Sequence, residues 1–487
     1  MQRNIFFRLG FSLLLILALS ACTEVLDREP KVDFTLENFF QTEDHAILGT
    51  NAVYNHLRDW SVHVFSYIGM TDIVSDDADK GSIPSDAFFL QELDDFTFST
   101  SNIAPLGIWN GYYTGVFRAN LAIEKIPDID MDVNLRDRLV AENKFLRAYF
   151  YFNLVRWYGD VPLITEPFPE DFSIPRAPAA DVYAQIIQDL EDAAATLPAT
   201  YGAGDVGRAT SGAAKGLLAK VYLTLKDFDK VEQLTGEIIT STRYSLYPSY
   251  SELFTEAAEN SSESLFEVQN AAFEEGGAGS QYNEVQGVRG TPNLGWGFNR
   301  PSNDLVAAYE TGDPRREATI LYVGEVLPDG SDIVQDNPNV IGERYNQKAW
   351  VPEHPGGNGN GPGNIRILRY ADVLLMAAEA LNENDQPSLA LGYLNEVRRR
   401  ARGSNPNVLP DITVTDKTQL RQIIWHERRV ELALEQQRWF DLLRQGRAAT
   451  VMQALGKDFV TGKHELFPIP QQEIDLSAGV LMQNPGY

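Results

Sequence analysis

The densest group of side chains that could do chemistry lies between Trp425 and Arg447, in the sequence WHERRVELALEQQRWFDLLRQGR. The stretch has no Pro, and its first Gly is Gly446, so we predict one long helix. Opposite charges three or four residues apart can pair along a helix surface, and this stretch contains the pairs Arg428–Glu431, Glu435–Arg438, Arg438–Asp441 and Asp441–Arg444. These charges could form an active site or could hold a structural frame together.

A second group of candidate residues lies in and near two glycine-rich segments, 276–297 and 356–363, which are predicted to form loops. Aromatic rings can pack on the C–H faces of sugars, while amides and guanidinium groups bond sugar hydroxyls. We therefore predict a carbohydrate-binding set of exposed side chains: Tyr282, Gln286, Arg289, Asn293, Trp296, Asn299, Arg300, Tyr345 and Trp350. Trp296 is the strongest candidate because its neighbours, Gly295 and Gly297, leave its ring little cover. For each aromatic residue, packing within the loop is the alternative.

The acidic segment 70–86, MTDIVSDDADKGSIPSD, is predicted to be an irregular surface loop. Its carboxylates could bind a structural calcium ion, although the spacing lacks the Asp-x-Asp-x-Asp-Gly and terminal Glu of an EF-hand loop. A solvated loop without metal is the alternative, and we predict no other cofactor. The residues that flank the segment make it a candidate rim for a ligand site: Trp60, His63, Phe65 and Tyr67. We therefore include in the predicted ligand site Asp76, Asp77, Lys80 and His63.

Several catalytic motifs are absent from the sequence. His426-Glu427 is followed by Arg-Arg-Val, so the zinc motif H-E-x-x-H is not formed, and no G-x-S-x-G, P-loop or C-x-x-C motif occurs. The run GGNGNG at 356–361 is a poor dinucleotide site because no strand is predicted before it and no helix after it. A glycosidase needs only two carboxylates at the right separation, so 68 acidic residues leave that function open.

Composition limits the partners of the protein. The formal net charge is −27, which should repel nucleic acid, because phosphates need Lys and Arg partners. A single cysteine excludes an intramolecular disulfide. The 44% hydrophobic content excludes wholesale disorder.

The amino-terminal sequence is typical of an export signal. Residues 1–21 contain Arg3 and Arg8, then an apolar core at 13–19 that is too short to span a membrane. The segment ends L-S-A-C, which resembles the lipobox of bacterial lipoproteins, and we predict lipidation at Cys22. An ordinary secretory signal with a chance Cys is the alternative. With Cys22 lipidated, residues 22–35 would form an acidic tether to the membrane.

Helical periodicity dominates the remaining chain. Helices are predicted at 36–57, 109–126, 135–158, 180–197, 211–226 and 228–240, and a helical pair at 370–402. The pairs at 211–240 and 370–402 are typical of tetratricopeptide-like hairpins. Residues 244–366 are predicted to form a loop-rich insertion with short strands at 265–269 and 319–322.

Several long motifs together resemble the SusD/RagB family of outer-membrane glycan-binding lipoproteins. The motifs, besides the lipobox and the charged stretch, are WNGYYTGVFRAN, FLRAYFYFNLVRWYGDVPLI, RATSGAAKGLLAKVYL, RYADVLLMAAEALNE and LFPIPQQEIDLS followed by QNPGY. They occur in order over the whole mature chain. The resemblance implies a mainly α protein, in which tetratricopeptide-like hairpins form a right-handed superhelical scaffold beside an irregular, loop-rich half. One domain would span 36–487, with its scaffold at 36–240 and 366–487 and its binding insertion at 244–366.

The same resemblance implies a function and a partner. The protein would be anchored by lipid in the outer membrane, would face the cell exterior, and would bind oligo- or polysaccharide without catalysis. It would deliver the glycan to a SusC-like TonB-dependent transporter. An adaptor for peptides or other nutrients and a surface glycosidase are the alternatives. No family motif transfers a binding residue, and the sequence does not identify the glycan. The charged stretch at 425–447 would belong to the supporting frame.

Overall fold

The computed structural model describes residues 39–167, 174–273, 277–340, 342–355, 357 and 359–487. The predicted signal segment 1–21, Cys22 and the tether at 22–35 lie outside the described residues. Among the described helices, none is long and apolar enough to cross a membrane.

The protein is mainly helical, as the sequence predicted. The longer helices are Glu43–His56, Phe88–Asp95, Ile103–Lys125, Val133–Tyr158, Ala179–Thr196, Ser211–Leu225, Phe228–Thr240, Tyr370–Glu383, Pro387–Arg402 and Lys417–Glu431. The shorter helices are Trp60–His63, Phe65–Ile68, Tyr282–Gln286, Asn303–Ala308, Arg315–Thr319, Arg438–Arg444, Ala448–Ala454 and Gln471–Leu476, and a π-helix spans Gly69–Ile73.

Short antiparallel strand pairs complete the described structure. Ala78–Gly81 pairs with Phe298–Pro301, so that Gly81 lies opposite Phe298. Ser264–Val268 pairs with Ile365–Arg369, and Ile320–Tyr322 pairs with Arg344–Asn346. These three pairs connect the loop-rich part of the chain to itself and to the acidic segment.

The longest helix illustrates how local sequence sets the frame. The Asp132 side chain caps Val133–Tyr158 by accepting a 2.8 Å hydrogen bond from the Leu135 backbone N–H. The helix ends at Gly159, whose φ of 71° is unfavourable for other residues. Its aromatic residues are buried against Ile103–Lys125 and Ala179–Thr196, so this stripe is core, as predicted.

Two helical hairpins confirm the tetratricopeptide-like pattern. Ser211–Leu225 and Phe228–Thr240 pack together across a turn at Lys226, whose backbone is left-handed with φ of 62°. Tyr370–Glu383 and Pro387–Arg402 form the second hairpin and pack against the first. Repeated short turns between antiparallel helices therefore build the scaffold.

Gly216 shows how the scaffold supports the loop-rich part. A Cβ at this position would lie 2.6 Å from Leu368 Cδ2 and 2.9 Å from Leu265 Cδ2. The helix Ser211–Leu225 therefore packs closely on the strand pair that contains these two leucines. The small residue at 216 thus allows the scaffold helix to approach a strand pair closely.

The prediction of one long helix at 425–447 is wrong. The helix Lys417–Glu431 ends before a turn in which Leu434 and Gln436 have φ of 60° and 58°, and a new helix begins at Arg438. Tertiary contacts fix this turn. Asp72 accepts hydrogen bonds from the Gln436 backbone N–H at 3.1 Å and from its Nε2 at 2.7 Å.

Most charges of this stretch pair across the fold. Asp441–Arg444 is the one predicted pair that forms among the four, with 2.7 Å between Oδ1 and Nε. Glu431 instead accepts from Arg315, Arg369 and Arg400, which lie on three other elements. The other members also pair with distant residues: Arg428 with Asp372, Glu435 with Lys348 and Arg369, and Arg438 with Asp76. These side chains are buried, so the stretch joins scaffold and insertion through buried ion pairs.

Candidate functional site

Trp296 is held on the loop that precedes the strand Phe298–Pro301. Its backbone N–H donates to the Glu284 carbonyl oxygen at 2.8 Å, and its indole Nε1–H donates to Glu284 Oε1 at 3.1 Å. A Cβ on Gly295 would lie 2.1 Å from the same carbonyl oxygen, so only glycine allows this approach. The indole is therefore fixed at both its backbone and its ring, while the residue stays partly exposed.

Trp296 is one of three aromatic residues that form a partly exposed cluster, which we call the aromatic platform: Trp60, Phe65 and Trp296. The ring centroids of Trp60 and Trp296 are 6.0 Å apart, and Phe65 lies 5.3 Å from Trp60 and 5.8 Å from Trp296. Trp60 is 39% exposed. The two indole planes make an angle of 55°, so the platform offers two tilted faces.

The platform rests on a second layer of aromatic rings. Phe298 is buried with its ring centroid 4.8 Å from that of Phe65, and Phe89 is half-buried at 5.3 Å. Phe298 belongs to the strand paired with Ala78–Gly81, and Phe89 belongs to the helix Phe88–Asp95. Two regular elements, a strand and a helix, therefore pack against Phe65.

Polar side chains lie beside the platform and are bonded to one another. Arg289 Nη1 donates to Ser82 Oγ at 2.8 Å and to an oxygen of Asp86, and lies 3.4 Å from the Trp296 carbonyl oxygen. Glu284 Oε2 accepts from Gln281 Nε2 at 3.0 Å. Aromatic faces with a rim of amide, guanidinium and carboxylate groups are a set of side chains that binds sugars.

The expectation that all the loop-borne candidates are exposed is wrong for four of them. Tyr282 accepts a 3.1 Å hydrogen bond from Gln436 Nε2 in the interior. Asn299 is fully buried, and its Nδ2 donates to Asp72 Oδ2 at 3.0 Å and Gln286 Oε1 at 2.8 Å. Gln286 is itself fully buried. Tyr345 is buried with its hydroxyl donating to the Arg289 carbonyl oxygen at 3.1 Å. Polar residues in these loops satisfy one another, which removes them from solvent.

His63 is also buried. Its Nδ1 lies 2.6 Å from the Leu57 carbonyl oxygen and its Nε2 lies 2.5 Å from the Tyr149 hydroxyl. Burial lowers its pKa to about 4, so the ring is neutral at physiological pH. Its role is to connect two helices in the core, and it does not face the platform's solvent side.

The acidic segment at 70–86 is largely buried, which corrects the prediction of a surface loop. Asp76 accepts two hydrogen bonds of 2.7 Å from Arg438, and Asp77 accepts one of 2.7 Å from Arg429. Lys80 is 1% exposed. Charge pairing with the 425–447 stretch draws these residues inward, because a buried carboxylate needs a partner.

The carboxylates of this segment are also the predicted calcium ligands. Arg438 and Arg429 occupy Asp76 and Asp77, while Arg300 pairs with Asp79 at 2.5 Å. Over the part of the chain that the structure describes, no group of three or more His, Cys, Asp or Glu side chains is placed to hold a metal ion. Guanidinium groups supply the positive charge that a cation would otherwise provide.

The remaining candidates lie at the edges of the loop-rich part. Arg289, Arg300 and Trp350 are half-buried, and Asn293 is exposed. Arg300 is engaged by Asp79, whereas Arg289 and Trp296 lie beside Trp60 in the platform region. Sequence analysis named Trp60 as a residue that flanks the acidic segment but did not pair it with Trp296, and it did not include Asp86, Glu284 or Phe89 in the site. Trp60 follows Asp59, which caps its helix, but no local pattern connects residue 60 with residue 296.

Residues 262–487 match the family model described as "SusD family", and residues 42–223 match one described as "Starch-binding associating with outer membrane". The chain is 30% identical to SusD-like protein P2 of Formosa agariphila, with 98% of each chain covered. It is 28% identical to a SusD-like protein of Bacteroides ovatus, with 88% of this chain and 80% of that one covered.

Solved structures are similar over nearly the whole described chain. A laminarin-binding SusD-like protein matches with a TM-score of 0.79 and 31% identity, covering 92% of this chain and 100% of that one. Surface glycan-binding protein A from Bacteroides thetaiotaomicron, in complex with laminarihexaose, matches with a TM-score of 0.77 and 26% identity. That match covers 91% of this chain and 100% of the other.

Proposed function

This chain belongs to the SusD family, and we propose that it binds oligo- or polysaccharide at the cell surface through the aromatic platform. The observation that carries the proposal is the pairing of Trp60 and Trp296, whose partly exposed indoles lie 6.0 Å apart. The free energy falls when a sugar ring covers an exposed indole, because apolar surface is removed from solvent. Binding occurs without turnover. Glu284 and Asp86, the carboxylates of the platform rim, are engaged by Trp296 and Arg289.

We infer a β-1,3-glucan as the first ligand to test. Two similar structures carry laminarin or laminarihexaose in their names, and laminarin is a β-1,3-glucan. The 55° angle between the indole planes also favours this class, because successive sugars of a curved chain turn their faces in different directions. A flat, ribbon-like glycan would cover one indole at a time.

Titration calorimetry of the purified mature protein with laminarihexaose tests the proposal. Trp60→Ala and Trp296→Ala should each weaken binding by about tenfold or more, because each removes one stacking face. Trp425→Ala is the matched control, since Trp425 is a half-buried indole on the scaffold helix Lys417–Glu431 that donates to Glu379. Wild-type affinity in both platform variants would refute the proposed site.

A separate experiment tests whether the protein hydrolyses the glycan. Laminarihexaose incubated with the protein at stoichiometric concentration should be recovered intact by mass spectrometry after a day. Appearance of shorter oligosaccharides, lost on substitution of a single carboxylate, would support the glycosidase alternative. A parallel array of peptides and of maltohexaose and mannohexaose distinguishes the peptide-adaptor alternative and other glycan classes.

We propose further that Cys22 is lipidated, that the protein is anchored in the outer membrane facing outward, and that it delivers glycan to a SusC-like TonB-dependent transporter. Two or more acyl chains give firm anchoring, whereas one chain is marginal. Labelling with an alkyne fatty acid should mark the wild type and not Cys22→Ala, which should leave the membrane fraction. Co-purification of the transporter with the tagged wild-type protein tests the partnership, and protease access on whole cells tests the orientation.

A further inference from the structure

Lys80 has an arrangement that its predicted role as a ligand contact does not explain. It lies in the strand Ala78–Gly81, and its side chain is buried beneath the turn that follows. Its ammonium group donates to three backbone carbonyl oxygens: that of Ile83 at 2.9 Å, Pro84 at 3.3 Å and Asp86 at 2.8 Å. An ammonium group has three donors, so these bonds use its full capacity. No donor is left for a sugar.

The three carbonyl groups belong to one short turn, 83–86. Backbone carbonyl oxygens that converge on one point repel one another unless a cation lies between them. The turn has its own backbone hydrogen bond, from the Asp86 N–H to the Ile83 carbonyl oxygen at 3.1 Å, and the ammonium of Lys80 stabilises it further by offsetting the repulsion between its carbonyl groups. Burial and the absence of a sugar-facing donor make this a structural cation inside the protein.

The turn connects directly to the loop that carries Trp296. Asp86, at the end of the turn, accepts from Arg289, whose Nη1 also lies 3.4 Å from the Trp296 carbonyl oxygen. Ser82, the residue before the turn, donates its backbone N–H to the Gly297 carbonyl oxygen at 2.6 Å. The turn is thus connected to the Trp296 loop on both sides, directly through Ser82 and by way of Arg289 from Asp86.

We propose that Lys80 is a positioning residue: its ammonium fixes the 83–86 turn, and the turn fixes the Trp296 loop through Asp86 and Arg289. This inference rests on the proposed function of the aromatic platform. It assigns to Lys80 an indirect action on glycan affinity. Glycan affinity depends on the Lys80 ammonium because the turn that it fixes keeps the two indoles at the tilt needed to bind a sugar.

The test is Lys80→Met, which keeps the length of the aliphatic stem and removes the charge. Laminarihexaose affinity should fall by about tenfold or more, since a buried group left without its partner costs on the order of 1.4 kcal/mol or more. Lys220→Met is the matched control. Lys220 is also a buried lysine, but it pairs with Asp372 in the scaffold at 2.6 Å. The control should lower the melting temperature and leave the affinity of the folded protein unchanged.

A second readout follows the indole itself. Incorporation of 5-fluorotryptophan gives one fluorine resonance for each of the seven tryptophans, and Trp296→Phe assigns that of Trp296. The Trp296 resonance should shift or broaden in Lys80→Met and stay unchanged in Lys220→Met. If Lys80→Met does not fold, Asp86→Ala removes the next connection while retaining the backbone carbonyl contacts of Lys80, and it should move the same resonance.

The outcomes separate this inference from the proposed function. If the wild type binds no glycan, the proposed function fails, while the fluorine spectrum still decides whether Lys80 positions Trp296. An unshifted Trp296 resonance in both Lys80→Met and Asp86→Ala overturns the inference. Lost affinity with an unshifted resonance also overturns it, because that result requires direct contact between Lys80 and the ligand.

Discussion

Glu431→Gln tests whether the buried charges form the frame of the protein. Glu431 is fully buried, and its carboxylate accepts from Arg369 at 2.7 Å, from Arg315 at 3.1 Å and from Arg400. Burial acts to raise the pKa of Glu431, but Arg400, Arg369 and Arg315 outweigh it and hold the pKa well below its ordinary value. The glutamine has nearly the same shape and removes the negative charge alone.

The size of the effect follows from the partners that remain. Removing one member of a buried ion pair typically lowers the free energy of unfolding by roughly 3–5 kcal/mol, because the other charge stays buried without compensation. Arg369 keeps Glu263 at 2.7 Å and Glu435 at 2.6 Å, and Arg315 keeps Glu427 at 2.6 Å. We therefore expect the lower end of the range, a loss of about 3 kcal/mol in the free energy of unfolding.

Urea unfolding of the mature protein, followed by both circular dichroism and tryptophan fluorescence, measures this loss if the two transitions coincide. Glu317→Gln is the matched control, since Glu317 pairs with Arg316 at 2.8 Å but is 62% exposed at its side chain. An exposed pair should contribute less than about 1 kcal/mol. Laminarihexaose affinity of folded Glu431→Gln should equal that of the wild type.

The loss should also depend on pH. Because the pKa of Glu431 is lower in the folded state, its stabilisation is complete above the unfolded value of about 4.3 and disappears as pH falls through the folded value. The two proteins should therefore converge in stability under acid conditions. A loss below about 1 kcal/mol at neutral pH, or a large fall in affinity with unchanged stability, would refute the view that this cluster supports the fold without binding ligand.

Three further predictions concern other parts of the structure. Burial raises the pKa of Asp72 to about 6. As pH rises from 4 to 7, the wild type should therefore lose up to about 3 kcal/mol of stability relative to Asp72→Asn. If the difference in free energy of unfolding between the two proteins, measured with urea, does not change over this pH range, the raised pKa of Asp72 is contradicted. Gly295→Ala should abolish laminarihexaose binding in calorimetry, because its Cβ would lie 2.1 Å from the Glu284 carbonyl oxygen, and unchanged affinity would show that the Trp296 loop adapts. Arg438→Ala removes the two 2.7 Å hydrogen bonds to Asp76 and should lower the free energy of unfolding by about 3 kcal/mol with affinity unchanged in folded protein; a fall in affinity alone would place Arg438 in the site.

The helices were predictable because their signals are local. Val133–Tyr158 has a capping Asp132 before it and Gly159 after it, and its apolar residues repeat with helical spacing. The break in the 425–447 stretch had no such signal. Leu434 and Gln436 are residue types that favour helices, yet both have a left-handed backbone. The turn is held by hydrogen bonds from Gln436 to Asp72, which is separated from it by 364 residues in the sequence. A tertiary contact therefore decided the local structure.

The same reasoning explains why several of the predicted site residues are buried. Polarity and position in a loop do not show whether a side chain binds ligand or binds another loop. Asn299 and Asp77 have the composition of ligand contacts, yet both are fully buried and bonded within the protein. Trp296 differs from Asn299 and Asp77 because its two flanking glycines have no side chains to cover its ring. This property is local, so it can be predicted from the sequence. That Trp296 binds glycan stays a prediction.

Trp60 could not be connected to Trp296 from the chain, because their proximity depends on two independent parts of the fold. The strand pairing that places Gly81 opposite Phe298 brings the Trp296 loop to the helices at 60–68, and Phe65 contacts both indoles. Lys80 lies in that strand pair, and its ammonium supports the turn on which the loop rests. The geometry of the platform is therefore set in part by buried groups, and under the proposed function we expect that changes in ligand preference can arise there without any change in the exposed rings.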